Sequence, residues 1–155
     1  MKTENYYQML LESNLHRYLP KEAIGLLINS SRVVKKHAKS IIFLEQDNSR
    51  DVYIILSGSV KIQKSIPWLE GKFFSVFRKS GEIFGETAAI EEKPRNARAM
   101  AEEDCQLLRM PDHAFMQVLQ GNFSFSVHIF RTIVARIREY DLFVIHELQQ
   151  LIPRP

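Results

Sequence analysis

The sequence predicts a mostly β domain: an antiparallel jelly-roll β-barrel with N-terminal helices and a long C-terminal helix. Three observations carry this. Between residues 33 and 110, turn signals return about every 10 to 13 residues and separate short β-branched or aromatic runs. On either side of that stretch, apolar residues recur at helical spacing. The chain has 155 residues, 45% hydrophobic and 25% charged, which suits one globular domain and excludes a disordered chain, a collagen-like fibre or a disulfide scaffold. We expect a single domain over residues 1–152, with 1–32 as N-terminal helices, 33–110 as the barrel, 112–152 as C-terminal helices, and 153–155 as a linker-like end.

The elements follow in order. Tyr6, Met9 and Leu10, then Ile24, Leu27 and Ile28 after a break at Pro20, mark the N-terminal helices. Val52-Tyr-Ile-Ile-Leu56 reads as a strand, Ser57-Gly58-Ser59 as a turn, and Val60-Lys-Ile-Gln63 as a strand with Val60 and Ile62 on one face. Turns at Leu69-Glu-Gly71 and Lys79-Ser-Gly81 bracket Phe73-Phe-Ser-Val-Phe77. Cys105 to Met110 reads as the last strand, ended by Pro111. Asp112 is placed to cap a helix carrying Phe115, Val118 and Leu119. After Gly121-Asn122, a helix of about 28 residues, or about 42 Å, runs from Ser124 to Leu151.

Charge and composition narrow the function classes. The net charge is +3, from 21 Lys+Arg against 18 Asp+Glu. The densest basic cluster, Arg32, Lys35, Lys36, His37 and Lys39, reads as a solvated strand face and not as a track for phosphate backbone. The N-terminus has no apolar signal core and no apolar run is long enough to span a bilayer, so a cytoplasmic protein without a membrane partner is expected. The lone Cys105 fits a reducing compartment and has nothing nearby to activate a thiolate. His16, His37, His113, His128 and His146 stand 15 or more residues apart, so no local metal-ligand spacing exists. Walker, nucleophile-elbow and zincin motifs are absent, so no metal, cofactor or catalytic role is expected.

The informative stretch is Ile83-Phe-Gly-Glu-Thr-Ala-Ala-Ile-Glu-Glu-Lys-Pro-Arg-Asn-Ala97. Gly85 permits a sharp turn or a close backbone approach, and Glu86 follows at once. Thr87 to Ile90 can form one helical turn whose free amides point at an anion. Arg95 offers a planar fork suited to phosphate. An acid for hydroxyl groups, an amide cradle and an arginine for an anion describe a sugar-phosphate pocket. A surface ion pair between Glu86 and Arg95 accounts for the same residues.

Phe84-Gly85-Glu86, then after eight residues Arg95 with Ala97 two further on, resembles the phosphate-binding cassette of cyclic nucleotide-binding domains. These are the sensory domains of the catabolite activator family, of protein kinase A regulatory subunits and of cyclic-nucleotide-gated channels. Glu45-Gln-Asp47, Tyr53-Ile-Ile-Leu-Ser-Gly-Ser-Val60 and Ser80-Gly81-Glu-Ile-Phe-Gly-Glu86 extend the resemblance over roughly residues 20 to 145. The resemblance implies that Glu86 bonds the ribose 2′-hydroxyl and Arg95 pairs with the cyclic phosphate. Backbone N–H groups near Gly85, Thr87 and Ala97 would complete the cradle. It also implies that Tyr140 and Asp141 lie near the base, with Arg136 one turn earlier; Tyr140 as a mere seam residue of its helix is the alternative. The chain departs from the family at Asn96, where Ser, Thr or Ala is usual, and at Arg98, often Thr or Ser. Lys39, Gln46 and Ser49 stand where the family has loop glycines.

The resemblance implies a regulatory ligand-binding module and no enzyme. The expected ligand is cyclic AMP, because Asn96 lacks the hydroxyl that commonly holds a guanine 2-amino group, Arg98 cannot accept from that group, and Tyr140 or Asp141 can accept from adenine. A degenerate fold serving as an interaction module is the alternative, as is the sensor part of a longer enzyme or transcription factor. Phe130, Ile133, Ile137, Tyr140, Val144, Leu148 and Leu151 step by three or four, close to a heptad seam, which predicts a homodimer through the C-terminal helix. The same stripe packed back on its own barrel is the other reading. Without a recognition helix after the sensor, the chain alone is expected not to bind DNA.

Overall fold

A computed structural model describes residues 2–153. Helix α1 (Lys2–Glu12), a 3-10 turn (Asn14–Arg17) and helix α2 (Lys21–Asn29) lead into eight strands. These are β1 (Arg32–Lys36), β2 (Ile41–Phe43), β3 (Val52–Ser57), β4 (Ser59–Ser65), β5 (Phe73–Lys79), β6 (Ile83–Phe84), β7 (Arg98–Ala101) and β8 (Cys105–Met110). Helix α3 (Glu86–Glu91) lies between β6 and β7, and helices α4 (Asp112–Gly121) and α5 (Phe123–Leu151) end the chain. The strands form two four-stranded antiparallel sheets, ordered β1-β8-β3-β6 and β2-β7-β4-β5. That interleaving is the jelly roll the turn spacing predicts.

Strand β3 shows how sequence becomes layers. Its run Val52 to Leu56 is buried on both faces. Successive side chains point to opposite faces. Val52, Ile54 and Leu56 therefore join the cluster under the helices, with Leu10, Leu27, Phe115 and Phe125. Tyr53 and Ile55 point between the sheets, with Phe43, Val60, Phe84, Ala99 and Leu107. Burying a full-sized aliphatic side chain is worth about 1.5–3 kcal/mol, so this run is a main anchor of the domain. Cys105 is buried in the inter-sheet cluster, where burial pushes its thiol pKa up.

Asp112 is not the cap expected of it. Pro111 holds that position in extended conformation, and Asp112 is the first helical residue, its carboxylate accepting the His113 N–H at 2.8 Å. Proline presets the entry to α2 in the same way at Pro20.

Two of the loop positions where the resemblance places glycine have a left-handed backbone here. Lys39 has φ 69° and Gln46 φ 72°. The Gln46 N–H donates to the Arg95 carbonyl and the Arg95 N–H to the Asp47 carbonyl, both at 2.8 Å. This tie fixes the loop before β3 against the segment after α3. Ser49 has no left-handed backbone; its hydroxyl accepts a bond from Arg95 instead, at 3.1 Å.

Candidate functional site

A cavity of about 320 Å³ opens between the second sheet and helix α5, within the size range of small-molecule sites. Its floor is the segment from β6 to β7. Gly85 takes φ 78°, and a Cβ there would stand 2.9 Å from Arg95 Nη1 and 3.2 Å from the Asp51 carbonyl. Only glycine satisfies both the backbone and the space. The turn delivers Glu86 into the interior, where it is 4% exposed.

Arg95 is 2% exposed and is the bulkiest fully buried side chain. Its guanidinium lies over Phe43, 4.0 Å from the ring centre. It donates from Nη1 to the Gly85 carbonyl at 2.9 Å and from Nη2 to the Asp51 carbonyl at 2.7 Å. Burial lowers its pKa, and the charges of Tyr53, Asp51, Asp47 and Glu86 oppose that shift. None of these carboxylates pairs with it directly: the Asp51 carboxylate is held by Arg109 at 2.5 Å. That bond raises the Arg109 pKa, while burial raises that of Tyr53, stacked on Phe84. Arg95 is thus a buried cation without an anion of its own. Charge without an ion-pair partner at that depth is costly, and here it is offset by three hydrogen bonds and by the surrounding acids.

The wall comes from the β4–β5 hairpin. Its antiparallel register sets Val60 opposite Arg78, Ile62 opposite Val76 and Lys64 opposite Phe74. All but Val60 line the cavity. Helix α5 closes the mouth and is tied down by side chains. Arg136 pairs with Glu86 at 2.7 Å and also donates to the Ile83 carbonyl. Arg78 pairs with Glu139 at 3.2 Å, and Lys72 with Glu147. The Tyr140 ring meets Phe74 edge-on at 5.2 Å and lies under Lys64 Nζ at 4.7 Å.

A family model described as a cyclic nucleotide-binding domain matches residues 33–122, more than half of the chain. This chain belongs to the cyclic nucleotide-binding domain family. Two similar proteins are a potassium channel of rice, AKT3 (26% identical over 86% of this chain and 13% of the channel), and the cyclic AMP receptor protein of Thermus thermophilus (26% identical over 82% of this chain and 58% of that protein). The chain therefore spans only part of the proteins it resembles. The regulatory domain of Toxoplasma gondii PKA, solved as a co-crystal with cAMP, shares the fold with a TM-score of 0.67 at 22% identity, over 76% of this chain and 45% of that one.

Within this cyclic nucleotide-binding domain, the cassette residues named from sequence converge. Phe84, Gly85, Glu86, Thr87, Arg95, Asn96 and Ala97 all line the cavity, and so does Tyr140. Glu86 and Arg95 are not a surface ion pair; both are buried and they face different partners. Two residues expected over the base lie elsewhere. Strand alternation turns Arg98 away from Ala97 and Ala99 to bond Gln63, and it does not line the cavity. Asp141 sits on the solvent side of α5, exposed and outside the lining.

The seam also shifts. Ile133, Ile137 and Tyr140 line the cavity, and Ile133 continues the stripe of Phe125 and Ile129 that packs on the barrel. A neighbouring stripe is left exposed: Phe130 55%, Val134 50%, Ile137 53%, Ile145 51%, Leu148 45% and Leu151 60%. Two adjacent stripes that share Ile137 read as one seam in sequence. Lys64 and Arg78 were missed because no motif carries them. Alternation through Ile62 and Val76 was the available signal.

Proposed function

We propose that this chain is a regulatory sensor that binds a cyclic nucleoside monophosphate in the cavity and reports it through helix α5. The observation that carries this is Arg95, buried without a carboxylate partner beside an equally buried Glu86. Arg95 would take the cyclic phosphate, with backbone N–H groups near Gly85, Thr87 and Ala97. Glu86 would take the ribose 2′-hydroxyl. One Glu86 oxygen already holds Arg136, so ribose and α5 would share a single carboxylate. A ligand that strengthens or displaces that bond biases the helix, and only its differential affinity for the two helix positions counts.

The finer expectations rest on parts of this geometry. A preference for adenine loses Asp141 and keeps Tyr140; the names of the Thermus receptor and the Toxoplasma co-crystal make cyclic AMP the first ligand to try. Homodimerisation rests on the exposed α5 stripe, and a regulatory, non-catalytic role on membership of the binding-domain family. No helix of the described residues is long and apolar enough to cross a membrane.

The second reading is a ligand-free interaction module. It is favoured by Arg136 occupying Glu86 and by Arg95 already donating to two backbone carbonyls and the Ser49 hydroxyl. Calorimetric titration with cyclic AMP, cyclic GMP and cyclic di-GMP separates the two. Saturable binding of a mononucleotide that is lost in Arg95→Ala supports the sensor. Absence of binding to all three supports the module.

A further inference from the structure

The cavity carries more positive charge than a single phosphate site uses. Four cations line it: Lys64, Arg78, Arg95 and Arg136. Two are neutralised on the spot, Arg136 by Glu86 and Arg78 by Glu139. Arg95 and Lys64 form no ion pair among the described residues, and they serve different surroundings. Arg95 lies in the cassette. Lys64 lies where Phe74, Tyr140, Ile62 and Val76 offer the flat apolar surfaces a base needs, with its Nζ over the Tyr140 ring. Three donor hydrogens and no acceptor make Lys64 selective among bases. It can donate to a carbonyl oxygen and a ring nitrogen along one purine edge, but it opposes an exocyclic amino group there. The carboxylate that would have welcomed such an amino group, Asp141, faces solvent, and Glu139 is engaged by Arg78.

We propose that Lys64 is a specificity-determining residue that reads the 6-position of the base, so that the site favours a cyclic purine nucleotide with a 6-oxo group over one with a 6-amino group. The proposal rests on the sensor reading above and reverses the preference expected from sequence, because the residue facing the base edge is a donor and not an acceptor.

The test is a set of titrations on the whole chain with cyclic AMP, cyclic GMP and cyclic IMP. Cyclic IMP has the 6-oxo group without the 2-amino group, so it isolates the edge Lys64 would read. We expect cyclic IMP and cyclic GMP to bind about tenfold tighter than cyclic AMP, in the range of one lysine contact to a purine edge. Lys64→Met keeps the aliphatic stem and removes the donors; it should abolish the difference between cyclic IMP and cyclic AMP. Lys64→Arg should retain the preference. Cyclic AMP binding as tightly as cyclic IMP in the wild type, or a preference that survives Lys64→Met, overturns the role of Lys64 while leaving the sensor reading intact. Failure of all three nucleotides to bind overturns both.

Discussion

The cassette and helix α5 meet across one cavity, yet they are held by different physics. The cassette is fixed from every side: Gly85 has no room for a Cβ, Arg95 is sealed against Phe43 and two carbonyls, and the loop at Gln46 is bonded to it in both directions. The outer part of α5 is held chiefly by long side chains reaching over. Lys72–Glu147 and Arg78–Glu139 each have one partner 41% or more exposed, and such pairs are typically worth under about 1 kcal/mol. Beyond Ile129 no α5 residue is fully buried. In the proposed sensor, such a contrast would let ligand binding energy move the helix without disturbing the cassette, the ligand's receiver.

The largest expected effect tests the receiver. Arg95→Ala should weaken nucleotide binding by about 2–5 kcal/mol, the range for stripping one partner from a buried charged pair. Arg95→Lys retains the charge but loses the fork that reaches Gly85 and Asp51 together, so it should also bind weakly. Calorimetry gives both values. Undiminished binding in Arg95→Ala would show that the ligand enters elsewhere and that the rigidity of the cassette serves the fold alone.

The next effect tests the tethered helix. Ile137→Glu places a charge in the exposed α5 stripe, at a residue that also lines the cavity. We expect a dimeric wild type by light scattering at micromolar concentration and a monomeric variant with unchanged far-ultraviolet circular dichroism. A monomeric wild type at high micromolar concentration removes the proposed assembly. Tyr140→Ala makes the contrast sharper: it strips the Phe74 and Lys64 contacts on the inner side, and should alter ligand affinity but not assembly.

The same contrast explains what could be read in advance. The cassette was legible because its constraints are local: a glycine that nothing can replace, an acid beside it and an arginine after a fixed interval leave a contiguous mark. The layers were legible because Val52 to Leu56 and the turn glycines impose short-range rules. Helix α5 was legible as a helix but not in rotation. Apolar residues cover two adjacent faces of it, so Ile133 and Tyr140 could not be told from Phe130 and Leu148 without the barrel beside them. Arg98 and Lys64 were misplaced in opposite senses, one expected at the base and turned away, the other unremarked and turned in. Their facing depends on strand register, which is a property of the partner strand as much as of the residue.

A smaller effect probes how the receiver is kept rigid. Gln46 is exposed, left-handed and without a side-chain bond, so Gln46→Gly should stabilise the domain by about 0.5–1 kcal/mol; relief of the left-handed strain exceeds the added freedom of the unfolded chain. The main-chain bond to Arg95 is kept. Lys39→Gly relieves the same strain but also removes the ion pair to Glu102, whose other oxygen is buried without a partner, and should gain less. Urea denaturation measures both. A destabilised Gln46→Gly would mean that the glutamine side chain itself holds the loop.

The smallest effect lies where α5 begins, at the point that separates its buried start from its tethered remainder. His128 stacks on Tyr18 with ring centres 3.9 Å apart, between the N-terminal 3-10 turn and α5. Burial first, then the charges of Arg131 and Arg136, lower its pKa from the usual value near 6.5. The folded state therefore binds its proton less readily than the unfolded chain does. Stability rises with pH wherever the unfolded state holds more protons, so the neutral His128 contributes fully above about pH 6.5 and loses that contribution as the pH falls through the lowered folded value. His128→Phe keeps a flat ring against Tyr18 and cannot be protonated. Its stability should be similar to the wild type at pH 8 and should fall less steeply between about pH 6.5 and 5, as read by thermal unfolding at each pH. Because Arg136 contributes to the shift and also holds Glu86, protonation of His128 adds a like charge on the same side of α5 as that bond. Nucleotide affinity should then depend on pH over the same interval in the wild type and be flatter in His128→Phe. Equal slopes for the two proteins, in both stability and affinity, would confine His128 to stacking and separate the start of α5 from the behaviour of its tethered length.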